Sequence, residues 1–171
     1  MKRSIFVLAM LVFFLCGCKA KDEDGLTLLQ DGKYEKAKVA FCQEIQEKKN
    51  LDTAYYGAGI ACFELGEYRE AIGYFELALA SRAKQVGTIR SFLGACYMET
   101  GDYEKALDAY ESALAEPNLS AHLEQEAHYN MIAVYEKLGN WEAAKIQIEK
   151  YVKKYPNDSR VEKEQDFLEK R

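Results

Sequence analysis

The sequence predicts an all-α solenoid of about four helix-turn-helix units, closed by a C-terminal capping helix. Three observations lead there. Gly32, Gly66, Gly101 and Gly139 recur at intervals of 34, 35 and 38 residues, and a fixed period of this size marks a stack of structural repeats. Each glycine is followed two residues on by Tyr34, Tyr68, Tyr103 or Trp141, and then by a small-large pair four residues apart: Ala37 with Phe41, Ala71 with Phe75, Ala106 with Tyr110, Ala144 with Ile148. Proline is nearly absent, with Pro117 and Pro156 the only two in 171 residues, and both fall where a second helix has to stop.

Along the chain, residues 1–17 come first. Lys2 and Arg3 precede an unbroken apolar run from Ile5 to Leu15 of 11 residues, whereas a helix needs about 20 to cross a bilayer. This is the pattern of an export signal. The run ends in Leu15-Cys16-Gly17-Cys18, which resembles the lipobox of bacterial lipoproteins: a branched aliphatic, two smaller residues, then the cysteine that becomes the mature N-terminus. Cys16 departs slightly from the usual second small residue. The resemblance implies that Cys18 is lipidated, its sulfur accepting the diacylglycerol, and two acyl chains give stable anchoring where one is marginal. The alternative is ordinary cleavage after Ala20, which would leave a soluble exported protein. Residues 18–24 then form a tether that extends at most about 25 Å, holding the solenoid domain, 25–171, close to the membrane.

Within the domain each position has a physical task. A glycine between two helical patterns supplies the left-handed residue that ends one helix and turns the chain back. The alanine four residues before a bulky partner puts a small spot and a large knob on one face of the second helix. The first helices carry their own close-contact residues, Leu93-Gly94 with Tyr97 and Ala58-Gly59 with Cys62. At these residues the chain resembles the tetratricopeptide repeat (TPR) family, whose signature runs Leu-Gly-x2-Tyr, Ala-x3-Phe, Pro over 34 residues. The unit from Leu93 to Pro117 matches it with Tyr110 for Phe, and the resemblance covers about residues 22–171. It implies a right-handed superhelix whose first helices line the concave side.

The departures also carry expectations. The first unit has room only for a short opening helix, and Glu44 stands where Ala78 and Ala113 stand later. In the last unit Ile132 replaces the contact glycine and Tyr151 the small alanine. Four extra residues, Asn118 to Ala121, are expected to lengthen the helix before Gly139 by one turn. Ser159-Arg160-Val161-Glu162 reads as a capping box, opening a helix whose Val161, Gln165 and Leu168 would cover the last repeat.

On the first helices, the face turned from the glycine stripe carries Tyr56, Ile60, Phe63 and Glu64; then Ser91, Ala95, Met98 and Glu99; then Tyr129, Ala133, Glu136 and Lys137. This strip is the candidate partner groove, with Tyr56, Phe63, Met98 and Tyr129 as anchors because rigid aromatics and Met contribute most to binding. Packing between neighbouring helices is the competing role for Ile60 and Phe63. TPR proteins that clamp carboxylate tails place Lys, Arg and Asn on this face; here Asn130 is the one such amide, so that role is not expected. Acidic edges favour a partner carrying Lys or Arg.

Other chemistries find little support. The chain carries a net charge of −5, with Lys2 and Arg3 the only charges before Cys18, so a nucleic-acid partner is not expected. His122 and His128, with Glu126 as nearest carboxylate, fall on different sides of one helix and make a poor metal site. Gly57-Ala58-Gly59 lacks the third glycine and preceding strand of a dinucleotide loop. Cys42, Cys62 and Cys96 read as small buried hydrophobes, and Lys150, Lys153 and Lys154 as partners of a helix dipole. No cofactor and no catalysis are expected. The reading is a membrane-anchored interaction scaffold of the bacterial cell envelope, with an assembly factor for outer-membrane proteins or pili, or a non-catalytic enzyme subunit, as alternatives. Partner identity, oligomeric state and the membrane concerned stay open.

Overall fold

A computed structural model describes residues 24–160. The expected signal peptide, Cys18, nearly all of the tether and the capping helix with Val161, Gln165 and Leu168 lie outside the described residues. Eight helices run in chain order: α1 Gly25–Gln30, α2 Tyr34–Gln46, α3 Leu51–Glu64, α4 Tyr68–Ala80, α5 Val86–Thr100, α6 Tyr103–Leu114, α7 Ala121–Lys137 and α8 Trp141–Lys154. They pair as α1/α2, α3/α4, α5/α6 and α7/α8, the four expected repeats. None of the described helices is long and apolar enough to cross a membrane.

Four identical turns make the pairs. Gly32, Gly66, Gly101 and Gly139 have φ between 69° and 82°, a left-handed conformation that a Cβ penalises. In each turn the following amide reaches back five residues, Lys33 N to Leu28 O at 2.8 Å, Glu67 to Cys62 at 2.8 Å, Asp102 to Tyr97 at 2.9 Å and Asn140 to Tyr135 at 2.9 Å. These are Schellman closures, which satisfy carbonyls the helix end would leave open. The periodic glycines are therefore required by backbone geometry, and the period follows.

Packing within a pair rests on glycine against ring. A Cβ on Gly59 would lie 2.6 Å from the Phe75 ring, and one on Gly94 2.7 Å from Tyr110, so only hydrogen fits. Phe41 sits between two glycines, Gly25 of its own repeat and Gly57 of the next. Ala37, Ala71, Ala106 and Ala144 have no exposed surface. The last repeat exchanges the terms: Ile148 is smaller than an aromatic ring, and the space it vacates takes the side chain of Ile132, itself 1% exposed. Tyr151 is buried and joins the same cluster.

First helices touch first helices, α1 with α3, α3 with α5 and α5 with α7, whereas the backbones of the described second helices stay further apart, α2 meeting α4 through side chains such as Lys38 with Glu70 and Cys42 with Tyr74. The first helices therefore form the inner, concave wall and the second helices the outer one. The extra residues before α7 divide between two uses. α7 has 17 residues against 15 in α5, which is less than the full turn expected, because part of the insertion is spent in the connection between Leu114 and Ala121.

Candidate partner-binding surface

The inner wall brings the predicted strip into register. On α3, Tyr56, Ile60 and Phe63 are half-buried and Glu64 is exposed; on α5, Ala95 and Met98 are half-buried and Glu99 exposed; on α7, Tyr129, Ala133 and Glu136 are half-buried and Lys137 exposed. Ser91 is the exception. At 6% exposure it lies beneath the strip and presents little to a partner.

Each anchor also has a structural face. Phe63 meets Phe92 edge-on at 5.1 Å and Tyr68 at 5.7 Å, and Tyr56 lies 6.5 Å from Phe75. Ile60 packs on the same cluster, which Phe75 and Phe92 join by stacking at 5.5 Å. Met98 packs against the buried cluster that includes Tyr110 and Met131. Such residues hold neighbouring repeats together with one side and offer the other, and burial raises the Tyr56 hydroxyl above its ordinary pKa.

One further residue belongs to the strip. Leu26 is 45% exposed and follows Gly25 as Ile60 follows Gly59 and Ala95 follows Gly94. The signal was in the sequence: Gly25 stands seven residues before Gly32, as Gly59 stands before Gly66 and Gly94 before Gly101.

At the C-terminal end, the turn after α8 folds back on α7. The Asp158 carboxylate accepts hydrogen bonds from the Tyr151 hydroxyl (2.5 Å), Gln125 Nε2 (2.8 Å) and Arg160 Nη2 (2.7 Å). The Arg160 and Tyr151 donors hold Asp158 well below the usual carboxylate range. Arg160 Nη1 lies 2.9 Å from Glu126 Oε1, and its guanidinium lies 4.3 Å above the Tyr129 ring. Asp158 Oδ1 also accepts the backbone N–H of Arg160 at 3.0 Å, so Asp158 holds this turn; the capping box expected from Ser159 to Glu162 runs into residues outside the described ones.

The other chemistry-bearing groups are absorbed by packing. Asn130 donates to the Tyr110 hydroxyl at 3.2 Å, which removes it from any carboxylate clamp. His128 is half-buried beside Gln147, Lys154 and Tyr155, whereas His122 is exposed, so the two histidines do not converge. Cys62, Glu67 and Glu70 come together with the spacing of a cation site, but Lys38 Nζ sits 2.6 Å from Glu67 and 2.8 Å from Glu70 and supplies the cation. Those two hydrogen bonds outweigh its partial burial and hold the ammonium above its ordinary pKa. Cys42, Cys62 and Cys96 are free thiols; burial pushes Cys62 and Cys96 up to about 12, and Cys42 Sγ contacts the Tyr74 hydroxyl at 3.3 Å.

Tetratricopeptide repeat models match residues 24–86, 56–121 and 97–163. The chain belongs to the tetratricopeptide repeat family. Among solved structures, the TPR chain is similar to MamA of Desulfovibrio magneticus RS-1, with 21% identity, a TM-score of 0.67, and 79% of this chain and 74% of that one covered. A double mutant of MamA RS-1 gives a TM-score of 0.73 at 23% identity, over 84% of this chain and 78% of that one. A tetratricopeptide repeat protein from Parabacteroides merdae gives 0.70 at 25% identity, covering 85% of this chain and 56% of that one. No curated protein matches the sequence. A TPR solenoid is in general a non-catalytic scaffold for protein–protein interaction, and this chain has that architecture.

Proposed function

We propose that this TPR protein is a lipoprotein of the bacterial cell envelope, anchored through Cys18, that holds a peptide segment of an envelope protein in its concave groove. The observation that carries the groove is register: Leu26, Ile60 and Ala95 occupy one position on three successive inner helices that touch one another, with Tyr56, Met98 and the exposed Glu64 and Glu99 beside them. The anchor is supported by the apolar run and by Leu15-Cys16-Gly17-Cys18.

Site-specific photocrosslinking in cells from Ile60 and Met98, with the outward-facing Glu149 as control, tests the groove. One envelope protein captured from the two groove positions and not from Glu149 is the expected result. Equal capture from all three would place recognition elsewhere. Cys18→Ser tests the anchor: the protein should leave the membrane fraction, and continued sedimentation with membranes would require another attachment.

A further inference from the structure

The strip is already met, at its C-terminal end, by a side chain of the same molecule. Arg160 lies over Tyr129 at 4.3 Å and pairs with Glu126 at 2.9 Å, both on α7. A guanidinium over an aromatic face is favoured by the ring quadrupole, and the flanking carboxylate fixes its position. Tyr56 on α3 holds the same register position as Tyr129. Glu64 and Glu99 are exposed, occupy equivalent positions on consecutive inner helices, and take part in no ion pair among the described residues. Arg90, in the first half of α5, is paired with Glu116 at 2.5 Å and donates to the Ser112 carbonyl at 3.2 Å. Lys137, at the far repeat, is the exposed cation of this register.

We infer that the groove selects a cationic peptide segment, its Arg or Lys side chains directed at Glu64 and Glu99 and its apolar side chains at Tyr56, Ile60 and Met98. This rests on the groove reading above and names the chemistry of its occupant. Neighbouring packed helices lie about 8–10 Å apart, so the two carboxylates call for cations at about that spacing. A polyproline-type extended segment puts residues i and i+3 on one side with a rise of about 9 Å. In the fourth repeat Arg160 covers Tyr129, the register partner of Tyr56, and Lys137 stands where Glu64 and Glu99 stand earlier, so two cations confine the peptide to the first three repeats.

Selection of random 12-residue peptides displayed on phage against the full chain in nonionic detergent micelles, followed by fluorescence anisotropy on the selected peptides, tests this. Selected sequences should carry at least two Arg or Lys. Binding should fall at least tenfold with Glu64→Lys/Glu99→Lys and weaken as salt is raised, while the outward-facing pair Asp108→Lys/Glu149→Lys leaves it unchanged. Circular dichroism of each variant checks folding. Peptides that lose binding with Tyr56→Ala or Met98→Ala yet carry no cations, or ignore Glu64 and Glu99, would overturn the charge inference and leave the groove. An absence of selected peptides, or peptides indifferent to Tyr56 and Met98, would overturn both.

Discussion

At Gly94 one hydrogen atom sets the distance between α5 and α6. The nearest ring, Tyr110, cannot retreat, because it is buried and its hydroxyl accepts from Asn130. Gly94→Ala should therefore cost about 1–3 kcal/mol, the usual range for overfilling a packed contact, measured by urea unfolding. Gly73, exposed within α4, is the control: an added Cβ meets nothing within 4 Å, and Gly73→Ala should gain about 0.5–1 kcal/mol through helix propensity. His128 gives a pH-dependent counterpart. Burial first, then Lys154 and Lys150, lower its pKa, with Glu124 opposing. The unfolded chain then takes up a proton near pH ~6.5 that the folded chain resists. Stability is full above that value and is lost as pH falls through the folded pKa. The wild-type Tm should drop between pH 7.5 and 5.5 by more than that of His128→Gln; equal drops would mean that the imidazole does not carry the effect. At this scale the sequence was legible where a residue does one job in every repeat, as the turn glycines do. It was less so for Gly25, whose helix is too short to show a period of its own, and for Ser91, whose burial depends on the neighbouring helices.

Elements were legible by period, and irregular backbone was not. α2 to α8 follow from the glycine turns and the Ala-x3-large pairs, but the turn after α8 has no repeat to copy. Its geometry is set by where the Asp158 carboxylate finds Tyr151, Gln125 and Arg160, partners 7, 33 and 2 residues away in sequence. The same reasoning explains α7, where sequence length alone does not say how an insertion divides between helix and connection. Asp158 also makes this element acid-sensitive. Its pKa is depressed, so its stabilisation is present above its ordinary value of about 3.9 and is lost as pH falls through the folded value. Asp158→Asn should reproduce that loss at neutral pH. Amides of Tyr151 to Arg160 should exchange faster with deuterium while those of α3 and α4 keep their rates. Unchanged exchange at this end would show that the turn is held by something other than the carboxylate.

Across the whole molecule, each repeat meets only its neighbours, so stability is close to a sum of repeat and interface contributions. A core deletion should then act according to its place in the stack. Phe75, with no exposed surface, lies against Gly59 of α3 and stacks on Phe92 of α5, so it belongs to two repeats at once. Ile148 lies in the cluster of α7 and α8 with Ile132, Ala144 and Tyr151. Phe75→Ala should cost about 3–5 kcal/mol and Ile148→Ala about 2–5 kcal/mol, magnitudes too similar to separate the two by stability alone. Their reach separates them. Hydrogen exchange should show protection falling from α3 through α6 in Phe75→Ala, because the interface it removes joins the second repeat to the third, while Ile148→Ala should loosen α7 and α8 and leave α3 and α4 at wild-type rates. Equal loss throughout in both variants would mean that four repeats unfold as one unit. The concave wall would then be a single rigid surface, in which a partner bound at Tyr56 is sensed at Tyr129.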